Sequence, residues 1–207
     1  MVTSDDMSWC IAMLERQGYL DASLLKVMDP MVYFTACNTV SADIEFEAPD
    51  LAEYKQHMNH AKCGVFFIAG DAISRGDANQ AINSHWSGVW IRSTHSVARH
   101  MDSQGDVGHR AASTAAKFAR AVMRGWNMVA ADVEHTPGGR QRGGANCGFF
   151  VLCYAAAITE CTRLDMHFPG NLAFIDMHTA AQLRKALSAT SKNEAGAAAQ
   201  FPDFRRM

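Results

Sequence analysis

The chain has 207 residues, 48% of them hydrophobic, with a formal net charge of -2 and an isoelectric point near 6.5. That balance lacks the basic excess of a nucleic-acid binder, and no apolar run reaches the ~18 residues a membrane helix needs. The length supports one core and one domain, read as residues 1–190 with a flexible tail over 191–207.

In chain order, residues 5–17 carry Trp9, Ile11, Ala12, Met13 and Leu14 and predict a short helix ended by Gly18. The apolar stretch 24–34 is broken at Pro30, which predicts a helix start there, since proline's missing N–H costs nothing in a first turn. Residues 49–61 predict an exposed helix, 63–69 a buried strand, and 70–84 a long polar surface loop. Residues 86–91 and 96–101 predict two strands joined tightly around Ser93 and Thr94. The Ala-rich stretch 111–124 predicts a helix, and 128–133 a further strand. A glycine-dense loop over 137–146 leads into 147–160, which is apolar on every side and predicts the buried central helix. A last amphipathic helix is expected over 179–189. This order gives an α+β class, a small mixed sheet flanked by helices.

The opening MVTSDDMSWC lacks the basic-then-apolar order of a signal peptide. The expectation is a soluble monomer of the cytoplasm or nucleus. The 6 cysteines, Cys10, Cys37, Cys63, Cys147, Cys153 and Cys161, include no C-x-x-C pair suited to structural zinc. A chain of this size folds without disulfide staples, so reduced thiols are expected.

Chemistry concentrates at four positions. His85 opens one predicted strand and Asp102 ends the next. With the turn centred on Ser93 and Thr94, Arg92 opposes His95 and His85 opposes Asp102. Directly opposed Cβ atoms lie ~4.5–5.5 Å apart. A carboxylate there accepts from an imidazole N–H and fixes its tautomer. Cys147 follows the glycine-rich loop and opens the apolar helix, where the helix dipole favours a thiolate. The unpaired amides of that first turn point towards any oxyanion forming there. Gln141, six residues earlier in the loop, offers a neutral side-chain amide as a second donor. Gly143, Gly144 and Gly148 permit close approach of a substrate. Each residue taken singly also has a bland reading: a core cysteine, a packed histidine, an aspartate at a strand end.

The joint pattern is more specific. The segments SHWSGVWI, MDS and QRGGANCGFFVLC resemble the Ulp/SENP class of cysteine proteases, which process ubiquitin-like modifiers. The family order is His-Trp, an Asp about 17 residues on, a Gln, then Cys-Gly six residues after the Gln, and each is matched here. The resemblance implies a papain-like fold with permuted His-Asp-Cys order. It implies His85 as general base, Asp102 as its orienter, Gln141 as oxyanion donor and Cys147 as nucleophile. Trp86 resembles the roof over the substrate's Gly-Gly tail, with Asn146 and Gly144 beside it. No metal or organic cofactor is implied. The most similar subgroup is the deneddylases, small proteases of a Nedd-type modifier, and the resemblance runs from about Cys63 to Ala157. The implied partners are a Nedd-type modifier first, SUMO or ubiquitin second, and their conjugates. Two departures stand out. Asn146 occupies a position where the family has Asp, and Lys26 falls where its N-terminal motif has a Trp, with Asp29 matching that motif's Asp. A catalytically silent binder of such a modifier, and a viral or bacterial effector protease of the same fold, are the alternatives.

Two other features are weaker. His57 and His60 share a helix face but lack a third ligand for a metal. The segment GGRQRGG resembles an RGG tract, yet a single copy in a near-neutral chain reads better as a mobile active-site loop.

Overall fold

The computed structural model describes residues 3–33, 54–70, 85–92, 98–104, 110–128, 133–141, 146–166, 172, 174–191 and 200–204. The predicted surface loop over 70–84 lies almost wholly outside them, as do Cys37, Gly143 and Gly144.

Helix α1 (Ser4–Arg16) starts on a reciprocal cap. The Thr3 hydroxyl accepts from the Asp6 N–H at 3.1 Å, and the Asp6 carboxylate accepts from the Thr3 N–H at 2.9 Å. Satisfying both amides stabilises the helix start by about 1 kcal/mol. Its inner face buries Met7, Cys10, Ile11, Met13 and Leu14. The helix stops at Gln17, followed by Gly18 at a φ of 77°. A short strand β1 (Lys26–Val27) follows, and residues 30–33 are helical, opening on Pro30 as predicted. Helix α2 (Lys55–His60) then leads to β2 (Val65–Gly70).

Strands β3 (Trp86–Ile91), β4 (Ala98–Asp102) and β5 (Val133–Pro137) complete one sheet in the order β1-β2-β3-β4-β5. The central pairs are antiparallel, and both edge strands run parallel to their neighbours. Every residue of β2 and β3 is buried, so the sheet is covered on both faces. Helices α3 (Arg110–Gly125) and α4 (Cys147–Arg163) both pack on β3 and β4. Phe118 of α3 meets Phe67 edge-on at 5.0 Å and Tyr33 at 4.8 Å, which ties the N-terminal segment to the sheet. Helix α5 (Met177–Ser191) covers α4, whose residues are buried from Cys147 to Glu160. That explains why α4 has no polar face.

The predicted strand over 128–133 lies mostly outside the described residues; the described strand β5 runs from Val133, in register with β4. Pairing with β4, not intrinsic preference, extends the sequence VEHTP there. The β3–β4 register, with Ile91 opposite Ala98, differs from the one that a turn centred on Ser93 and Thr94 would set, and residues 93–97 lie outside the described residues. Residues 200–204, within the segment read as a flexible tail, pack back on the molecule. Phe201 stacks on Tyr19 at 4.9 Å and Phe204 is buried.

One glycine is required by the frame. Gly64, at a φ of 114°, enters β2 so close to β3 that a Cβ would stand 2.1 Å from the Ile91 carbonyl oxygen.

Candidate active site

The sheet brings His85 and Asp102 together. His85 Nε2 lies 2.6 Å from Asp102 Oδ1, with the two side chains only 2% and 0% exposed. They are not directly opposed, as the tight turn would have required. Gly88 pairs with Met101, which sets Ser87 across from Asp102 and leaves His85 one step beyond on the diagonal. Moving the turn shifts the register by two residues, so side chains stay on the same face. Diagonal neighbours remain within reach of a long side chain such as histidine. The same Asp102 oxygen accepts from the Gln104 N–H at 2.8 Å, which holds the carboxylate still.

Cys147 is the first residue of α4 and is buried. With Nε2 committed to Asp102, Nδ1 is the ring nitrogen left to face Cys147, whose side chain is near enough to act on the imidazole electrostatically. Burial works against a charged imidazole. Even so, the Asp102 bond and the neighbouring Cys147 outweigh it and raise the His85 pKa to about 9. Burial also pushes the Asp102 carboxyl up, but the His85 bond and the Gln104 amide bring it below the usual carboxylate range. His100, two residues before Asp102, is driven down to about 4 by burial and adds no charge near neutral pH. Burial raises the thiol of Cys10 to about 12 and also raises those of Cys63, Cys153 and Cys161.

Gln141 sits on the loop between β5 and α4. Its N–H donates to the Ser103 carbonyl at 2.9 Å, and the Ser103 hydroxyl donates to its Oε1 at 3.0 Å. The loop is held from behind at Gly139, where a Cβ would stand 1.7 Å from the Ile175 carbonyl oxygen, so only glycine fits. Asn146 precedes α4 without a side-chain cap bond; its Oδ1 instead accepts from Arg184 of α5 at 3.5 Å. The Asn146 side chain therefore takes up none of the first-turn amides of α4. Trp86 is buried at the start of β3, opposite Gly70. Gly144 lies outside the described residues.

Ser103 was within the quoted segment MDS, but only its aspartate entered the sequence reading. The signal was its position directly after a candidate orienter. Among the described residues, no group of three or more His, Cys, Asp or Glu side chains is arranged to hold a metal, and His57 and His60 belong to no such group.

No protein-family profile matches the sequence, and no curated protein matches it closely enough to count as a relative. Solved structures do match. A mutant of XopD from Xanthomonas superposes with a TM-score of 0.55 at 17% identity, over 82% of this chain and 88% of that one. XopD of Xanthomonas campestris, an effector solved bound to ubiquitin, gives 0.55 at 18% identity, over 82% and 81%. The C-terminal Ulp1 protease domain, solved with Smt3, the yeast ortholog of SUMO, gives 0.50 at 16%, over 80% and 67%. The chain has the fold of the ubiquitin-like protein proteases.

Within this protease fold the sheet carries His85 and Asp102, the central helix carries Cys147, and the connection between β5 and that helix carries Gln141. The α+β class expected from the sequence holds.

Proposed function

We propose that the protein is a cysteine peptidase that cleaves after the C-terminal Gly-Gly of a ubiquitin-like modifier. The observation that carries this reading is the buried His85–Asp102 pair, with Cys147 near enough to act on the imidazole from the first residue of a buried helix. A structural histidine has no need of a thiol on one edge and a carboxylate on the other.

The chemistry follows from that arrangement. The Cys147 proton passes to His85 Nδ1, and Asp102 stabilises the resulting imidazolium. The sulfur attacks the carbonyl carbon of the terminal glycine. The oxyanion forms against the Gln141 amide and the first-turn N–H groups of α4. The imidazolium then gives its proton to the departing amine, leaving a thioester on Cys147. Water, deprotonated by His85, attacks that thioester, frees the modifier's carboxylate and restores the thiol. Trp86 beside His85 suits a narrow channel that only glycine passes. The likeness of the stretch GVFFIAGDAISRGDANQAINSHWSGVWI to the deneddylases, and the similar length, favour a Nedd-type modifier as first substrate. Ubiquitin and SUMO, the partners of the structural neighbours, come second.

The test is turnover of C-terminal aminocoumarin derivatives of the Nedd-type modifier, SUMO and ubiquitin, side by side. Release of the fluorophore from one of them, abolished in Cys147→Ala, supports the reading. No release from any of the three would count against it.

A further inference from the structure

Asp102 and Ser103 are adjacent in the chain but serve different groups. Asp102 takes His85; Ser103, itself 1% exposed, takes Gln141 at both ends. Its carbonyl accepts the Gln141 main-chain N–H, and its hydroxyl donates to the Gln141 side-chain oxygen.

The second contact decides what Gln141 presents. A glutamine amide is nearly symmetric in shape but opposite in polarity at its two ends. With Oε1 held by the Ser103 proton, Nε2 is the free end, and it is a donor. Rotated by half a turn, the same side chain would offer an oxygen lone pair to a carbonyl gaining negative charge. That would repel the transition state instead of stabilising it. The backbone bond fixes where Gln141 lies, but it leaves the terminal torsion free, and such torsions are broad and roughly two-fold.

We propose that Ser103 is a positioning residue for the oxyanion: its hydroxyl holds Oε1 of Gln141 so that the amide nitrogen faces the reacting carbonyl. One dipeptide at the end of β4 then aligns both the base and the oxyanion donor. The inference rests on the peptidase reading given above.

The test compares wild type, Ser103→Ala, Ser103→Thr, Gln141→Ala and the double variant Ser103→Ala/Gln141→Ala on the aminocoumarin substrate. Alkylation of Cys147 by iodoacetamide is measured in parallel. Removing one oxyanion donor costs about 10²–10³ in kcat, and freeing its torsion loses part of that. Ser103→Ala is expected to lower kcat by about 10-fold at unchanged KM, and Ser103→Thr, which keeps the hydroxyl, to restore it. The double variant should be no slower than Gln141→Ala, because with no amide left there is nothing to hold. Alkylation should proceed at the wild-type rate, since the thiol–imidazole pair does not involve Gln141. Wild-type kcat in Ser103→Ala, losses that multiply in the double variant, or a matching fall in alkylation would each overturn the proposal. Wild-type protein without turnover removes the peptidase reading as well, whereas full turnover by Ser103→Ala removes this one alone.

Discussion

Asp102 Oδ1 and His85 Nε2 stand 2.6 Å apart with neither side chain open to water. Two consequences follow from sealing that pair. The imidazole cannot exchange its partner for solvent, so its tautomer is fixed. Its proton is also held harder than in a free histidine, up to about pH 9, with burial opposing and the Asp102 bond and the neighbouring Cys147 prevailing.

The first prediction concerns pH. In the proposed mechanism the imidazolium is the acid that expels the amine, so kcat/KM should fall as pH rises through about 9. Asp102→Asn removes the counter-charge. The alkaline limb should then move to lower pH, and some activity should remain because Asp102 orients the base and takes no part in bond making. Rates measured from pH 6 to 10.5 on both proteins check this. An alkaline limb at the same pH in both would contradict it.

Stability should follow the same proton. The folded-state pKa of His85 is raised above the unfolded value, so its contribution is complete below about pH 6.5 and is lost as pH rises through about 9. Urea midpoints should decline over that window in the wild type, and the decline should flatten in His85→Gln. A parallel decline in both proteins would show that another group is responsible.

Gln141→Ala should lower kcat by about 10²–10³ with little change in KM, the signature of an interaction made only in the transition state. Steady-state kinetics separate the two. A rise in KM at constant kcat would make Gln141 a binding residue and not an oxyanion donor.

The end of the chain should matter for stability. Phe204 is 6% exposed and sits with Phe201 around Tyr19. Phe204→Ala should cost roughly 1.5–3 kcal/mol from lost burial, read from urea unfolding. An unchanged midpoint would mean that this contact adds nothing to the folded state.

Much of the site could be read from the sequence because its determinants are local. The spacing from His85 to Asp102, the Cys147-Gly148 start of an apolar run and the Gln141 position each survive translation into structure. The diagonal contact of His85 with Asp102 could not be read, because it depends on where the β3–β4 turn lies, and Ser-Thr fixes no turn type. The extent of β5 beyond Val133 is not legible, because Glu134, His135 and Thr136 have no strand pattern of their own; the edge of β4 imposes it. Ser103 escaped because its role appears only when residues 38 apart in the chain meet. The packing of Phe204 on Tyr19 is hidden in the same way, since an Ala- and Gly-rich stretch separates two aromatic residues from anything near in sequence.

The most direct test of the nucleophile is covalent capture. Propargylamide probes made from the Nedd-type modifier, SUMO and ubiquitin are incubated with wild type and Cys147→Ala, and products are read by intact mass and peptide mapping. The account predicts one adduct per chain, on Cys147, with at least one probe, and none in Cys147→Ala. Adducts on Cys10, Cys63, Cys153 or Cys161, or capture that persists in Cys147→Ala, would contradict it.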